Sequence, residues 1–265
     1  MFDLPIYMTG LLLVSLMATA SWVLSLVKHD VSIVDSVWGL FFLALCLSYV
    51  LSVQSPGYRA LLVLILVSIW AIRLSVFITL RNRGEPEDAR YQAIRARNEP
   101  WFAIKSLFII FLLQATLAWI ISLPLLAAVN SSPQAGVLDA LAAALVLFGI
   151  LFETIADSQL AAFKAKPDNS GKVMDTGLWR YTRHPNYFGE CCVWWGFYLF
   201  ALAAGGWWSV ISPLLMTFLL LRVSGVALLE KDITERRPAY RDYIERTNAF
   251  IPGPPGVRQK TVNAR

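Results

Sequence analysis

Long apolar runs, broken by short polar stretches, set the pattern of this chain. A helix needs roughly 20 apolar residues to cross a bilayer. Seven such stretches are predicted, at about Leu4–Val27, Ile33–Val53, Ala60–Leu80, Trp101–Val129, Val137–Phe163, Tyr187–Ala204 and Trp207–Leu229. Pro124 falls inside the fourth and is expected to kink or end it, because proline has no N–H to give to a helix. The expected fold is all-α, a polytopic bundle of seven transmembrane helices. It would form one membrane domain over residues 1–256, with 257–265 a frayed tail beyond Pro252-Gly-Pro-Pro-Gly256.

Composition agrees with the pattern. Over 265 residues, 57% are apolar and only 15% charged, which excludes an ordinary soluble globule. The net charge of +5 is therefore read by location, as membrane topology, and no nucleic-acid partner is expected. Lysines and arginines number five in Arg81–Arg97, five in Lys164–Arg183 and nine from Arg222 onward. The connections Ser52–Tyr58, Asn130–Gly136 and Gly205–Gly206 carry none. This bias puts the N-terminus outside and the C-terminus in the cytoplasm. No basic stretch precedes the first apolar run, so that helix is expected to stay rather than be cleaved as a signal peptide. Cys46, Cys191 and Cys192 all lie in apolar segments, and His29 and His184 are too few for a histidine-rich site. Neither a disulfide framework nor a metal is expected.

The candidate chemistry centres on Asp175–Gly196, where a basic loop runs straight into an apolar helix. Arg180, Arg183 and His184 precede Pro185, a residue favoured in the first helical turn. The free N–H groups of that turn and the two arginines would suit an anionic group. Asn186 and Glu190 stand one turn apart and can share a helix face. Polar groups inside membrane-length segments are costly unless they bind something, so each is a candidate. Asp35 opens the second span, Arg73 lies in the third, and Glu153 and Asp157 lie one turn apart in the fifth, ahead of Gln159 and Lys164. Arg222, Glu230 and Lys231 close the seventh, while the charged loop Asn82–Tyr91 reads as a solvated connector. Together they suggest a cavity with a polar cytoplasmic mouth and an apolar depth. Such a cavity suits a soluble anionic cofactor and a lipophilic substrate.

Several motifs carry a family resemblance. They are Val34-Asp35-Ser-Val-Trp38-Gly39, Trp70-Ala-Ile-Arg73-Leu, Leu80-Arg-Asn82-Arg83-Gly84-Glu-Pro86 and Glu153-Thr-Ile-Ala-Asp157-Ser-Gln159. They continue as Gly177-Leu-Trp-Arg180-Tyr181-Thr-Arg183-His184-Pro-Asn186-Tyr-Phe-Gly189-Glu190, then Pro238-Ala-Tyr240-Arg-Asp-Tyr243 and Phe250-Ile-Pro252. The chain resembles the steroid 5α-reductase superfamily, in its bacterial branch, over nearly its whole length. The resemblance implies an integral protein of the bacterial inner membrane, with its cofactor site on the cytoplasmic side. It implies that NADPH reduces the C4–C5 double bond of a 3-oxo-Δ4 steroid or similar enone entering from the bilayer. No protein partner is implied.

By the resemblance, Asp157, Lys164, Arg183, Asn186, Glu190, Tyr240 and Tyr243 would surround the dinucleotide, with Asn186 and Glu190 nearest the nicotinamide. Asn82, Arg83, Glu153, Arg180, Tyr181, His184 and Lys231 are expected to complete that site. Trp38 and Trp70 would line the substrate pocket. Relatives activate the ketone with a glutamate on the second helix and a tyrosine on the third. Here Asp35 stands near the first position, and Arg73 or Tyr91 is expected to serve for the second. Hydride addition to an enone drives charge onto the carbonyl oxygen, where a donor stabilises it. Asp35 would donate only when protonated. The Arg-His-Pro-x-Tyr-x-Gly-Glu core also occurs in S-adenosylmethionine-dependent membrane methyltransferases of the isoprenylcysteine carboxyl and phospholipid type. That activity is the alternative, and a non-catalytic lipid-binding protein is a third.

Overall fold

The computed structural model describes residues 2–130, 136–223, 225–230 and 233–256, and the expected tail lies outside them. Among the described residues all regular structure is helical. Six helices among the described residues are long and apolar enough to cross a membrane, and the protein is an integral membrane protein. The chain divides into two compact units, residues 1–143 with 197–212, and residues 144–196 with 213–265.

The first unit is built on α1 (Leu4–Lys28), α2 (Ile33–Leu51) and α3 (Tyr58–Asn82). Asp3 caps α1 by accepting from the Ile6 N–H at 3.1 Å, as short polar residues do at helix starts. α2 packs along both α1 and α3. Gly39 allows α2 to come this close, since a Cβ there would lie 3.0 Å from the Ala71 carbonyl oxygen. Small residues at such crossings let helix backbones approach in a membrane.

Between α3 and the next span, the expected solvated connector contains a further helix, α4 (Ala89–Asn98). Asp88 caps it, accepting from the Arg90 N–H at 2.9 Å. The fourth span, α5 (Phe102–Ile121), contains a π-helical turn at Leu107–Leu112. Pro124 does not kink that span, because the span has already ended. It sits in the first turn of a separate short helix, α6 (Leu123–Val129), where its missing N–H costs nothing.

The helices α7 (Val137–Lys164) and α8 (Pro185–Ala203) each run through both units. In the second unit they cross at paired glycines. A Cβ on Gly149 would lie 2.6 Å from the Gly189 carbonyl oxygen, and one on Gly189 would lie 2.8 Å from that of Gly149. α8 has 19 residues but is not among the six helices of spanning apolarity. Its first two turns hold Asn186, Tyr187 and Glu190, which dilute the apolar run. The last apolar stretch, α9 (Trp207–Arg236), has a second π-helical turn at Leu219–Val223. A short helix, α10 (Tyr240–Arg246), and an extended segment end the described chain.

Candidate functional site

In the second unit the loop before α8 is tied down at almost every residue. Arg183 donates to Glu230 through Nε at 2.7 Å and Nη2 at 2.9 Å, and through Nη1 to the carbonyls of Ile244 and Thr247. The His184 ring shares the same carboxylate, with Nε2 2.9 Å from Glu230 Oε1. Burial opposes the charge on Arg183, but its bonds to Glu230 more than offset this and raise its pKa. A forked guanidinium on a carboxylate is among the stronger polar contacts available. Arg183, one of the two arginines expected to meet an anion, is thus committed to Glu230 together with His184, and Glu230 is the acid that organises the loop.

The C-terminal segment closes over this loop. Asn248 and Tyr181 offer their carbonyls to the N–H groups of Arg183 and Gly253, at 2.9 and 3.0 Å. The Thr182 hydroxyl donates to the Phe250 carbonyl at 2.8 Å. The Tyr243 hydroxyl donates to the Trp179 carbonyl, and Arg246 pairs with Asp175. Tyr240 packs edge-on against Tyr243, and burial pushes its phenol up to about 12. Arg180, Tyr181 and Lys164 are exposed. Lys231 lies outside the described residues.

The first two turns of α8 differ from this loop. Asn186 Oδ1 is buried and has no hydrogen-bond partner. One turn on, Glu190 accepts from the Trp194 indole N–H at 3.2 Å. Glu153 sits against Gly189, and Glu153, Asp157 and Glu190 are all buried, at 4%, 5% and 7% exposure. A buried amide oxygen without a donor costs about 1–3 kcal/mol. A ligand N–H would remove that cost, and the carboxamide of a nicotinamide carries two. On the residues present, this part of the unit fits such a group.

The first unit holds a second polar group. Tyr91 on α4 donates to Asp35 Oδ1 at 2.5 Å, and Arg90 Nη2 donates to Asp35 Oδ2 at 2.8 Å. Gln114 on α5 donates to the Tyr91 oxygen at 3.2 Å. Burial, and then the Asp35 charge, raise the Tyr91 phenol well above its ordinary range. Asp35 therefore accepts from both Arg90 and Tyr91. Arg90 is itself clamped by Asp88, at 2.9 Å from Nε.

Two further bonds fix α4 to the start of α2. The Ser32 hydroxyl accepts from the Asp88 N–H at 2.9 Å, and Glu87 accepts from the Val31 N–H at 3.0 Å. Burial works against ionisation of Glu87 and Asp88, yet Arg95 and Arg90 hold both carboxyls below their ordinary range. Arg73 stands 5.6 Å from the Phe77 ring centre. Trp70 is fully buried against Phe42, while Trp38 is half-buried. Asn82 and Arg83 stand at the end of α3.

The sequence pattern places Glu230 only at the end of the seventh span and Arg90 only in a solvated connector, and it leaves Gln114 out. Glu230 meets Arg183 across 47 positions and Arg90 meets Asp35 across 55, so spacing carries no signal for either. The amide of Gln114, inside an apolar span, was a signal that was there to be read.

A family model described as "Protein of unknown function (DUF1295)" matches residues 21–247. The uncharacterized protein C594.04c of Schizosaccharomyces pombe is 26% identical to this chain, over 93% of the chain and 79% of that protein. No solved structure matches.

Proposed function

The chain belongs to the DUF1295 family, whose function is unknown, and we propose that it is an integral-membrane, NADPH-dependent reductase of lipophilic enones. The C4–C5 double bond of a 3-oxo-Δ4 steroid is the model substrate. The observation that carries this reading is Asn186 Oδ1, buried without a donor one turn before Glu190. Asn186 and Glu190 would hold the nicotinamide carboxamide, and exposed Arg180 and Lys164 would meet phosphates. Arg183 and His184 support that site through Glu230 and do not touch the cofactor. When bound, the cofactor supplies a hydride to the enone β-carbon. Within the first unit, Tyr91 would be the donor to a carbonyl oxygen on which charge develops. Arg90 and Tyr91 both donate to Asp35, so that Asp35 orients the phenol as an acceptor.

The reading includes topology. α8 joins the six apolar helices as a seventh span, and the lysine and arginine bias places the N-terminus outside and the cofactor residues in the cytoplasm. A bacterial inner membrane suits that arrangement.

A second reading has its own support. Three buried carboxylates, Glu153, Asp157 and Glu190, suit the cationic sulfonium of S-adenosylmethionine, and thus a membrane methyltransferase. The two part on ligand binding. Purified protein in mild detergent is heated with NADPH, NADH or S-adenosylmethionine. A ligand at about 100 times its dissociation constant adds roughly 2.7 kcal/mol. Stabilisation by NADPH is the expected result. Stabilisation by S-adenosylmethionine alone replaces the reductase with the methyltransferase.

A further inference from the structure

Gln114 carries an amide inside a membrane-spanning helix, and the reductase reading leaves it without a task. Its Nε2 donates to the Tyr91 oxygen at 3.2 Å, while the Tyr91 hydrogen goes to Asp35 Oδ1 at 2.5 Å. The phenol oxygen is thus held from two sides, by a donor on α5 and an acceptor on α2. The helix is specially shaped just before this residue. The π-helical turn Leu107–Leu112 ends two residues ahead of Gln114. A π turn adds one residue to the coil, a rotation of about 100° for everything that follows. The buried stripe of α5 records the slip. It runs through Phe102, Ser106 and Ile110, then passes to Phe111, Ala115 and Ala118. Single π turns of this kind recur at functional sites.

We propose that Gln114 is a positioning residue, which fixes the Tyr91 oxygen while the hydroxyl hydrogen swings from Asp35 to a bound carbonyl oxygen. Arg90 stays on Asp35 Oδ2 throughout, so the carboxylate keeps a partner when the phenol turns away. Without Gln114 the ring would follow its hydrogen towards Asp35 and present its edge to the ligand. This inference rests on the reductase reading, and its test separates the two.

The test uses Gln114→Met, which keeps the side-chain length and volume but removes the donor. In protein labelled with carbon-13 at tyrosine Cζ, the Tyr91 resonance is the one lost in Tyr91→Phe. That resonance is expected to move in Gln114→Met. With a 3-oxo-Δ4 enone, kcat is expected to fall by about 10- to 100-fold, while KM for NADPH stays within about twofold of wild type. A merely structural role would change both kinetic constants or neither. An unmoved resonance overturns the proposal, and so does a moved resonance with unchanged kcat. A wild type that binds no NADPH sinks the reductase reading, and the resonance alone then decides whether Gln114 positions Tyr91.

Discussion

Two carboxylates in this protein are held in nearly the same way, yet their surroundings make them different devices. Glu230 takes a forked arginine and a histidine, and Asp35 takes an arginine and a tyrosine. Around Glu230 nothing can turn without leaving a buried group unpaired, since Arg183 also holds two backbone carbonyls. Around Asp35 one hydrogen can rotate about a C–O bond while Arg90 keeps the charge paired. The first arrangement is a clamp, whereas the second leaves one hydrogen able to turn to another acceptor. A shared type of contact thus says little about role until the remaining donors are counted.

Breaking the clamp should have the largest effect. Arg183→Leu leaves half-buried Glu230 without its guanidinium and two carbonyls without that donor. Removing one partner of a fully buried pair costs about 3–5 kcal/mol, which is the upper bound for this partly exposed one. The variant should lose most of its thermal stability in detergent and release the C-terminal segment to protease, and an unchanged melting point would remove the clamp from the account. Gly189→Ala comes next. Its new methyl would meet backbone on α7, at 2.8 Å from both the Glu153 nitrogen and the Gly149 oxygen. Overpacking of that kind costs about 1–3 kcal/mol, read in the same melt.

The smallest effect sharpens the contrast through pH. Glu87 and Asp88 have carboxyls held below their ordinary range, so their contribution to anchoring α4 is complete above that range. It is lost as pH falls through the lowered values. Amide exchange in α4 should therefore quicken below about pH 4 relative to exchange within α10. Equal acceleration in both helices would contradict the role given to the two acids.

How much of this was legible in the sequence differs by element. α1, α2 and α3 follow from apolar runs, because membrane crossing imposes length and composition directly. α4 does not, since its residues are polar and its place comes from Asp88 capping it and from bonds to Val31, Ser32 and Asp35. The two π-helical turns are also invisible to a 3.6-residue period. At the site, Asn186 and Glu190 could be placed on one helix face from spacing alone. The commitment of Arg183 and His184 to Glu230 could not, because it joins groups 46 and 47 residues apart.

The central claim is that Asn186 awaits a nicotinamide carboxamide. It is tested most directly by titrating NADPH into wild type and Asn186→Leu, following energy transfer from tryptophan to the reduced nicotinamide. The account predicts saturable transfer in wild type and at least a tenfold weaker dissociation constant in the variant, the equivalent of about 1.4 kcal/mol. Equal affinity in the two proteins, or no transfer in either, would contradict it.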